Sequence, residues 1–217
     1  MSIPNTKFIN EPAIEHFLHF CHKRRYPKNY DILLPGGMAD RLYYIVEGSI
    51  SIAMKDPEDR EIILAYLNKS DFIGEIGVFF GPNVRQVTVR TRSDCVLAEI
   101  SFTRFHNIIR GELAEHSIDL LYALGRQLAG RLLQTSRKVG HLAFLDVTGR
   151  IAKTLIDLCK EPDAMTHPDG MQIRITRQEI GRIVGCSREM AGRVLKDLET
   201  QGLISAKGKT IVVFGTR

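Results

Sequence analysis

The sequence predicts an α+β chain: an N-terminal antiparallel β-barrel of jelly-roll type, a long dimerisation helix and a C-terminal winged helix-turn-helix. Three observations predict it. Short β segments separated by turn residues run from Tyr30 to Ile100, a helical run without Pro starts near Ile118, and a helix-turn-helix spacing over Arg177–Lys196 leads into a β-hairpin. With 217 residues and 44% apolar content, the chain can bury two modest cores. The expected division is 1–117 for the barrel, 118–140 for the long helix and hinge, and 141–217 for the winged helix-turn-helix.

The first element is a short amphipathic helix, Glu11 to Cys21, ending at the basic run Lys23-Arg24-Arg25. The β segments are ILL before Pro35-Gly36-Gly37, then LYYIVEGSISIAM, a polar turn at Asp56-Pro57-Glu58-Asp59, EIILAYL, VRQVTVRT and CVLAEI. Between two of them lies Asp71-Phe72-Ile73-Gly74-Glu75-Ile76-Gly77-Val78-Phe79, followed six residues later by Arg85. Glycines here free a turn of backbone N–H groups and the Arg adds a charge-assisted fork, which together suit a phosphate. Glu75 can accept from a ribose hydroxyl. By itself, such a turn beside an Arg is more often structural than a ligand site.

Along the long helix, Leu121, Gly125, Leu128, Leu132, Thr135, Val139 and Leu142 follow the alternating four- and three-residue steps of a two-stranded coiled-coil seam. The seam needs a cover, either the barrel of its own subunit or a second chain. Gly140 is expected to break the helix. Asp146 then caps a helix from Val147 to Lys160, stopped by Glu161-Pro162 before a loop at Asp163–Gly170.

In the last segment Ile180 and Val184 on one side of Gly185, and Ala191, Val194 and Leu195 on the other, give two helices that bury one stripe against each other. Gly185 makes the turn, Gly181 permits close approach and Ser187 caps the second helix. Arg188, Glu189 and Arg193 then share an exposed face. Arg forks to guanine O6 and N7, and Glu accepts from cytosine N4, so the trio is suited to major-groove edges. Leu203–Ser205 and Thr210–Phe214 read as a hairpin with a basic tip, whose Lys207 and Lys209 suit the phosphate backbone.

Charge agrees with this division. Of a net +5, residues 147–217 hold 12 Lys+Arg against 8 Asp+Glu, leaving 18 against 17 for the rest. No run of about 18 apolar residues suggests a membrane span, and the opening MSIPNTKFINEP lacks the basic and apolar regions of an export signal, so a cytoplasmic protein is expected. Cys21, Cys95, Cys159 and Cys186 form no C-x-x-C pair and are expected as reduced structural thiols. The seven His are dispersed without metal-ligand spacing, so no metal is expected.

The order of parts, FIGEIGVF with its Arg, a long helix containing QTSRKVG, then LAFLDVTGRIAKTL, EPDAMTHPDG and the winged helix-turn-helix, resembles the CRP/FNR family of transcription regulators. The resemblance covers nearly the whole chain. It is closest from Leu142 onward, in EPDAMTHPDGMQIRITRQEIG, IVGCSRE and GKTIVV, and looser over residues 1–30 and 105–118. It implies a homodimeric, sequence-specific DNA-binding regulator, not an enzyme, whose DNA affinity is controlled by cAMP held between barrel and dimer helix.

Carried over by position, the resemblance implies that Arg85 and the Gly74–Glu75 backbone meet the nucleotide phosphate and that Glu75 holds the ribose 2′-OH. Thr135, with Ser136 of the partner subunit, would read the adenine edge. One position departs: cAMP-binding members usually carry Ser directly after the phosphate-binding Arg, where this chain has Gln86. Some relatives altered at this position respond to cyclic di-GMP or bind DNA without a ligand. Arg188, Glu189 and Arg193 would contact bases of a palindromic TGTGA-like site, with Thr176, Arg177, Ser187, Lys196, Lys207 and Lys209 near phosphates. Thr166, His167 and Gly170 resemble a loop that touches the RNA polymerase α subunit, and His22, Arg24 and Arg104 a second, basic activating patch.

Three other classes fit less well. An enzyme would need a nucleophile with a base, a carboxylate pair or a metal cluster in one pocket, a haem or redox sensor would need a cysteine cluster or a haem-ligating His, and a pure protein-binding module has no use for a winged helix-turn-helix.

Overall fold

The computed structural model describes residues 11–81 and 83–216, and the chain divides into two compact units within the long helix, after Gln134. The N-terminal unit opens with α1 (Glu11–His19), followed by β1 (His22–Tyr26), β2 (Asp31–Leu33), β3 (Met38–Ala39), β4 (Arg41–Glu47), β5 (Ile50–Lys55), β6 (Glu61–Leu67) and β7 (Phe72–Ile73). Then come α2 (Glu75–Phe80), β8 (Asn83–Val84), β9 (Thr88–Thr91), β10 (Cys95–Ser101), α3 (Phe102–Arg110), a 3-10 turn (Ala114–His116) and α4 (Ser117–Phe144). The strands group into two four-stranded antiparallel sheets, β1-β10-β4-β7 and β2-β9-β5-β6, with a β3-β8 ribbon. This is a jelly-roll arrangement of two sheets.

The LYYIV run of β4 is buried on both faces, which explains why it is continuously apolar rather than alternating. Tyr43 and Ile45 face the core between the sheets with Ile50, Val89 and Leu97. Leu42 and Tyr44 face a second core, where Phe17 of α1, Phe105 and Ile108 of α3, and Leu120 and Leu124 of α4 pack on the outside of the sheet.

Several local expectations are corrected by packing. HKRRY, read from the sequence only as a basic run after the first helix, is the edge strand β1: its first four residues are exposed and it pairs with β10 from His22↔Glu99 to Tyr26↔Cys95. Charged side chains facing solvent are how an edge strand avoids further pairing. LYYIVEGSISIAM divides at Gly48, whose φ is 91°. FIGEIGVF is a two-residue strand followed by α2 rather than a turn. The helix expected to end at Gly140 runs through it to Phe144. One Gly in a helix costs only about 1 kcal/mol, too little to break a long helix.

The C-terminal unit contains α5 (Val147–Leu158), β11 (Met165–His167), β12 (Gly170–Arg174), α6 (Arg177–Val184), α7 (Arg188–Thr200), β13 (Ile204–Lys207) and β14 (Thr210–Phe214). Asp146 caps α5 by accepting from the Gly149 N–H at 2.7 Å, as its sequence position predicts. The segment predicted as a loop, Asp163–Gly170, instead holds β11 and the turn Pro168-Asp169 that joins it to β12, with His167 opposite Gly170. That hairpin extends the wing into a four-stranded sheet, β11-β12-β14-β13. Ile151 and Leu155 of α5, Ile180 and Val184 of α6, Ala191, Val194 and Leu195 of α7 and Ile173, Ile211 and Val213 of the sheet share one core.

The four cysteines are unpaired. Burial pushes every thiol up, Cys21 to about 12, so they stay protonated and unreactive near neutral pH. Among the described residues, no helix is long and apolar enough to cross a membrane.

Candidate nucleotide and DNA sites

Gly74 sits between β7 and α2 with φ 84°, and a Cβ there would lie 2.5 Å from the Arg41 carbonyl oxygen. Only glycine meets both demands. The backbone can therefore turn sharply beside β4 and start α2 at Glu75. Glu75 is 2% exposed, and its carboxylate accepts from the Arg131 guanidinium of α4, whose Nη2 also donates to the Phe72 carbonyl at 2.6 Å. Gln127, one turn earlier, donates to the same carbonyl at 2.8 Å and accepts from the Phe72 N–H at 2.7 Å. α4 is thus bolted to β7 by paired polar groups beneath Glu75.

Arg85 follows the β3-β8 ribbon, its N–H donating to the Gly37 carbonyl at 2.9 Å. Its guanidinium is mostly covered, 16% exposed, and lies 3.9 Å from Asp40. That long pair leaves donors of Arg85 for an anion. The Asp40–Arg41 corner thus links the two predicted halves: Asp40 approaches Arg85 and the Arg41 carbonyl approaches Gly74. Gln86 is exposed. Beside Glu75, burial pushes the Asp71 carboxyl up against the opposing pull of the Asn68 N–H and Arg131, and the Glu75 charge adds to the rise.

Within this cradle Arg131 is the residue that the sequence did not reveal, and its buried Nε has no hydrogen-bond partner among the described residues. A signal existed. Leu120, Leu124, Gln127 and Arg131 form one stripe on α4, adjacent by a single residue to the seam Leu121, Gly125, Leu128, Leu132. The first stripe packs on the sheet. The second is half-buried at Leu121, Gly125 and Leu128 and open further along, where Leu132, Val139 and Leu142 are 68%, 60% and 43% exposed. Thr135 and Ser136 lie on α4 and are exposed.

In the helix-turn-helix each predicted local contact is present. Gly185 ends α6 with φ 72°, and a Cβ on Gly181 would lie 2.6 Å from the Cys186 carbonyl. Thr176 and Ser187 cap the two helices, accepting from the N–H groups of Glu179 and Met190 at 3.1 Å. Arg188, Glu189, Arg193 and Lys196 project from α7 and are exposed. The N-terminal N–H of its own helix and the Ser187 hydroxyl hold the Glu189 carboxyl below its usual range, so it remains an acceptor. Arg177 opens α6 with its side chain against Gly192 of α7. Lys207 ends β13, Lys209 stands in the turn after Gly208, and both are exposed.

Two further predicted groups are placed differently from each other. Thr166 is exposed on β11 and His167 half-buried, its Nδ1 accepting from the Asp169 N–H at 3.2 Å, while Gly170 is buried where a Cβ would meet the Val213 carbonyl. Gly170 therefore shapes the hairpin rather than offering a surface. His22 and Arg104 line one surface cavity of about 460 Å³ with Arg41 and Glu99. Arg24, two residues along β1, has its guanidinium over the Tyr26 ring at 5.6 Å.

Comparison with known proteins bears on both units. Residues 23–112 match the cyclic nucleotide-binding domain model, and residues 173–204 match that of the bacterial regulatory proteins of the crp family. The chain is 54% identical over 212 residues to the cAMP-activated global transcriptional regulator Vfr of Pseudomonas aeruginosa, covering 95% of this chain and 97% of that one. It is 56% identical over 207 residues to the cAMP-activated global transcriptional regulator CRP of Salmonella typhimurium, covering 95% and 96%. Among solved structures, the c-di-GMP responsive global regulator CLP of Xanthomonas campestris superimposes with a TM-score of 0.91 at 51% identity, covering 95% of this chain and 100% of that one. With more than half of its residues shared with such regulators along nearly its full length, the chain belongs to the CRP family of DNA-binding transcription regulators.

Proposed function

We propose that this regulator acts as a homodimer in the cytoplasm and that cAMP controls its affinity for a palindromic TGTGA-like site. The observation that carries the reading is the buried Glu75 carboxylate, oriented by Arg131 beside the glycine turn at Gly74, with the underused Arg85 guanidinium across the Asp40–Arg41 corner. A cyclic nucleotide presents one phosphate charge and one free ribose hydroxyl, and this pair of groups matches both. Arg85 and the Gly74 backbone hold the phosphate, Glu75 accepts the ribose 2′-OH, and Thr135 with Ser136 of the partner subunit reads the adenine. Two similar proteins named as cAMP-activated support the choice.

The open seam on α4 supports the dimer, since Leu132, Val139 and Leu142 remain uncovered by their own chain. Two recognition helices one helical turn apart then read a palindrome. Thr166 and His167, and separately His22, Arg24 and Arg104, are proposed to touch RNA polymerase. A second reading, control by cyclic di-GMP, is favoured by Gln86 in place of Ser and by the likeness to a c-di-GMP responsive regulator.

Parallel calorimetry with cAMP and cyclic di-GMP, with DNA binding followed at each nucleotide concentration, separates the two. By linkage, a nucleotide that tightens DNA binding about tenfold must bind about tenfold tighter to the DNA-bound dimer. Millimolar cAMP that gives no heat and leaves DNA affinity unchanged rejects cAMP.

The recognition face makes its own prediction. Arg188→Ala or Glu189→Ala should lose about 1–3 kcal/mol on the palindrome and flatten discrimination, whereas Lys207→Ala should weaken all sequences alike and lower the salt slope by about one. Gel shifts on specific and random duplexes check this, and equal losses on both for Glu189→Ala would remove it from the base-reading set.

A further inference from the structure

The end of α1 and the 3-10 turn before α4 meet at the edge of the N-terminal unit, and two histidines separated by 100 residues face each other there. Nδ1 of His16 lies 2.7 Å from Nε2 of His116, with ring centroids 4.7 Å apart. His19, one turn along α1, has its ring centroid 6.4 Å from that of His16. Two imidazole nitrogens at this separation share one proton: one donates and the other accepts. When the donor ring carries its proton on its other nitrogen instead, both facing nitrogens offer lone pairs to a metal ion between them.

The geometry requires little change. Zn–N bonds of about 2.0–2.1 Å in a tetrahedral shell separate two nitrogens by about 3.3 Å, an opening of about 0.6 Å with a tilt of the rings. The His16 side chain is exposed and free to open by that amount. The backbones beneath are fixed, because Ala13, Ile14 and Phe17 of α1 and Leu113 and Leu120 on either side of the turn are buried in one core. Both histidines fall in stretches 1–30 and 105–118, where the sequence resembles the family least. Among the described residues no three ligand-type side chains already converge, so a two-histidine core sets the affinity and His19 must rotate to join it.

We propose that His16 and His116 form a surface site for a divalent transition-metal ion that imidazole favours, such as zinc or nickel, with His19 as the third ligand within reach and water completing the shell. A bound ion would clamp α1 to the start of α4. It would stabilise the N-terminal unit by mass action, because the unfolded chain does not hold the two rings together.

Full-length protein titrated calorimetrically with zinc chloride and, separately, nickel chloride tests this, with thermal unfolding recorded at each concentration. Saturable binding of a single ion per chain and a rising unfolding temperature are expected. His16→Gln and His116→Gln should each weaken binding at least about tenfold and remove the thermal shift. His19→Gln should weaken it by a smaller factor, and His141→Gln should leave it unchanged. No saturable binding of either ion up to millimolar concentration overturns the proposal, as does affinity retained in both the His16→Gln and the His116→Gln protein.

Discussion

Replacing Arg131 by Leu is expected to destabilise the N-terminal unit by about 3–5 kcal/mol and to lower its unfolding temperature on the order of 10 °C, even without nucleotide. The reason lies in what remains. Glu75 is 2% exposed and Arg131 is its ion-pair partner, so removing the guanidinium strands a carboxylate inside protein. The Phe72 carbonyl also loses one of its two side-chain donors, keeping Gln127. Pairing Arg131→Leu with Glu75→Gln should recover much of the loss, since the second change removes the uncompensated charge. Urea denaturation of the two single variants and the double variant measures this coupling. A loss below about 1 kcal/mol for Arg131→Leu would mean that water reaches Glu75 and that the pair does not hold α4 to β7.

Arg85→Leu should separate binding from folding. Its one ion pair among the described residues is long, 3.9 Å, to an Asp40 side chain that is 59% exposed, so the ligand-free protein should lose little stability. Nucleotide affinity should fall several-fold to hundreds-fold, because truncating one partner of a largely desolvated charge pair costs about 2–5 kcal/mol. Gln86→Ser should leave cAMP affinity intact or raise it, since a hydroxyl beside Arg85 supplies the usual phosphate contact with a shorter side chain. Thr135 and Ser136 variants should alter coupling to DNA more than affinity. Calorimetry on the purified variants reads all of these. Undiminished cAMP binding by Arg85→Leu would detach the phosphate from this Arg and favour another effector.

The helix-turn-helix was legible from the sequence because its determinants are neighbours along the chain. A cap at Ser187 reaches the N–H three residues on, Gly185 acts on its own φ, and the apolar stripe of α7 is set by helical periodicity; each is specified within a dozen residues. The α4 seam was legible for the same reason, and its C-terminal half, at Leu132, Val139 and Leu142, is exposed in the single chain.

What the tertiary structure alone decided depends on partners far away in sequence. HKRRY is a strand because β10 lies beside it, GMQIR because β14 does, and MTH because GMQIR does. None of these segments has an apolar alternation that would announce it, since charged or polar residues fill their exposed positions. Gly140 stays helical because the hydrogen bonds on both sides outweigh the cost of one glycine. Glu75 meets Arg131 across 56 residues and His16 meets His116 across 100. Spacing along the chain carries no information about such pairs. They exist because burying the apolar residues of α1, α2 and α4 in one core on the same sheet brings their polar neighbours together.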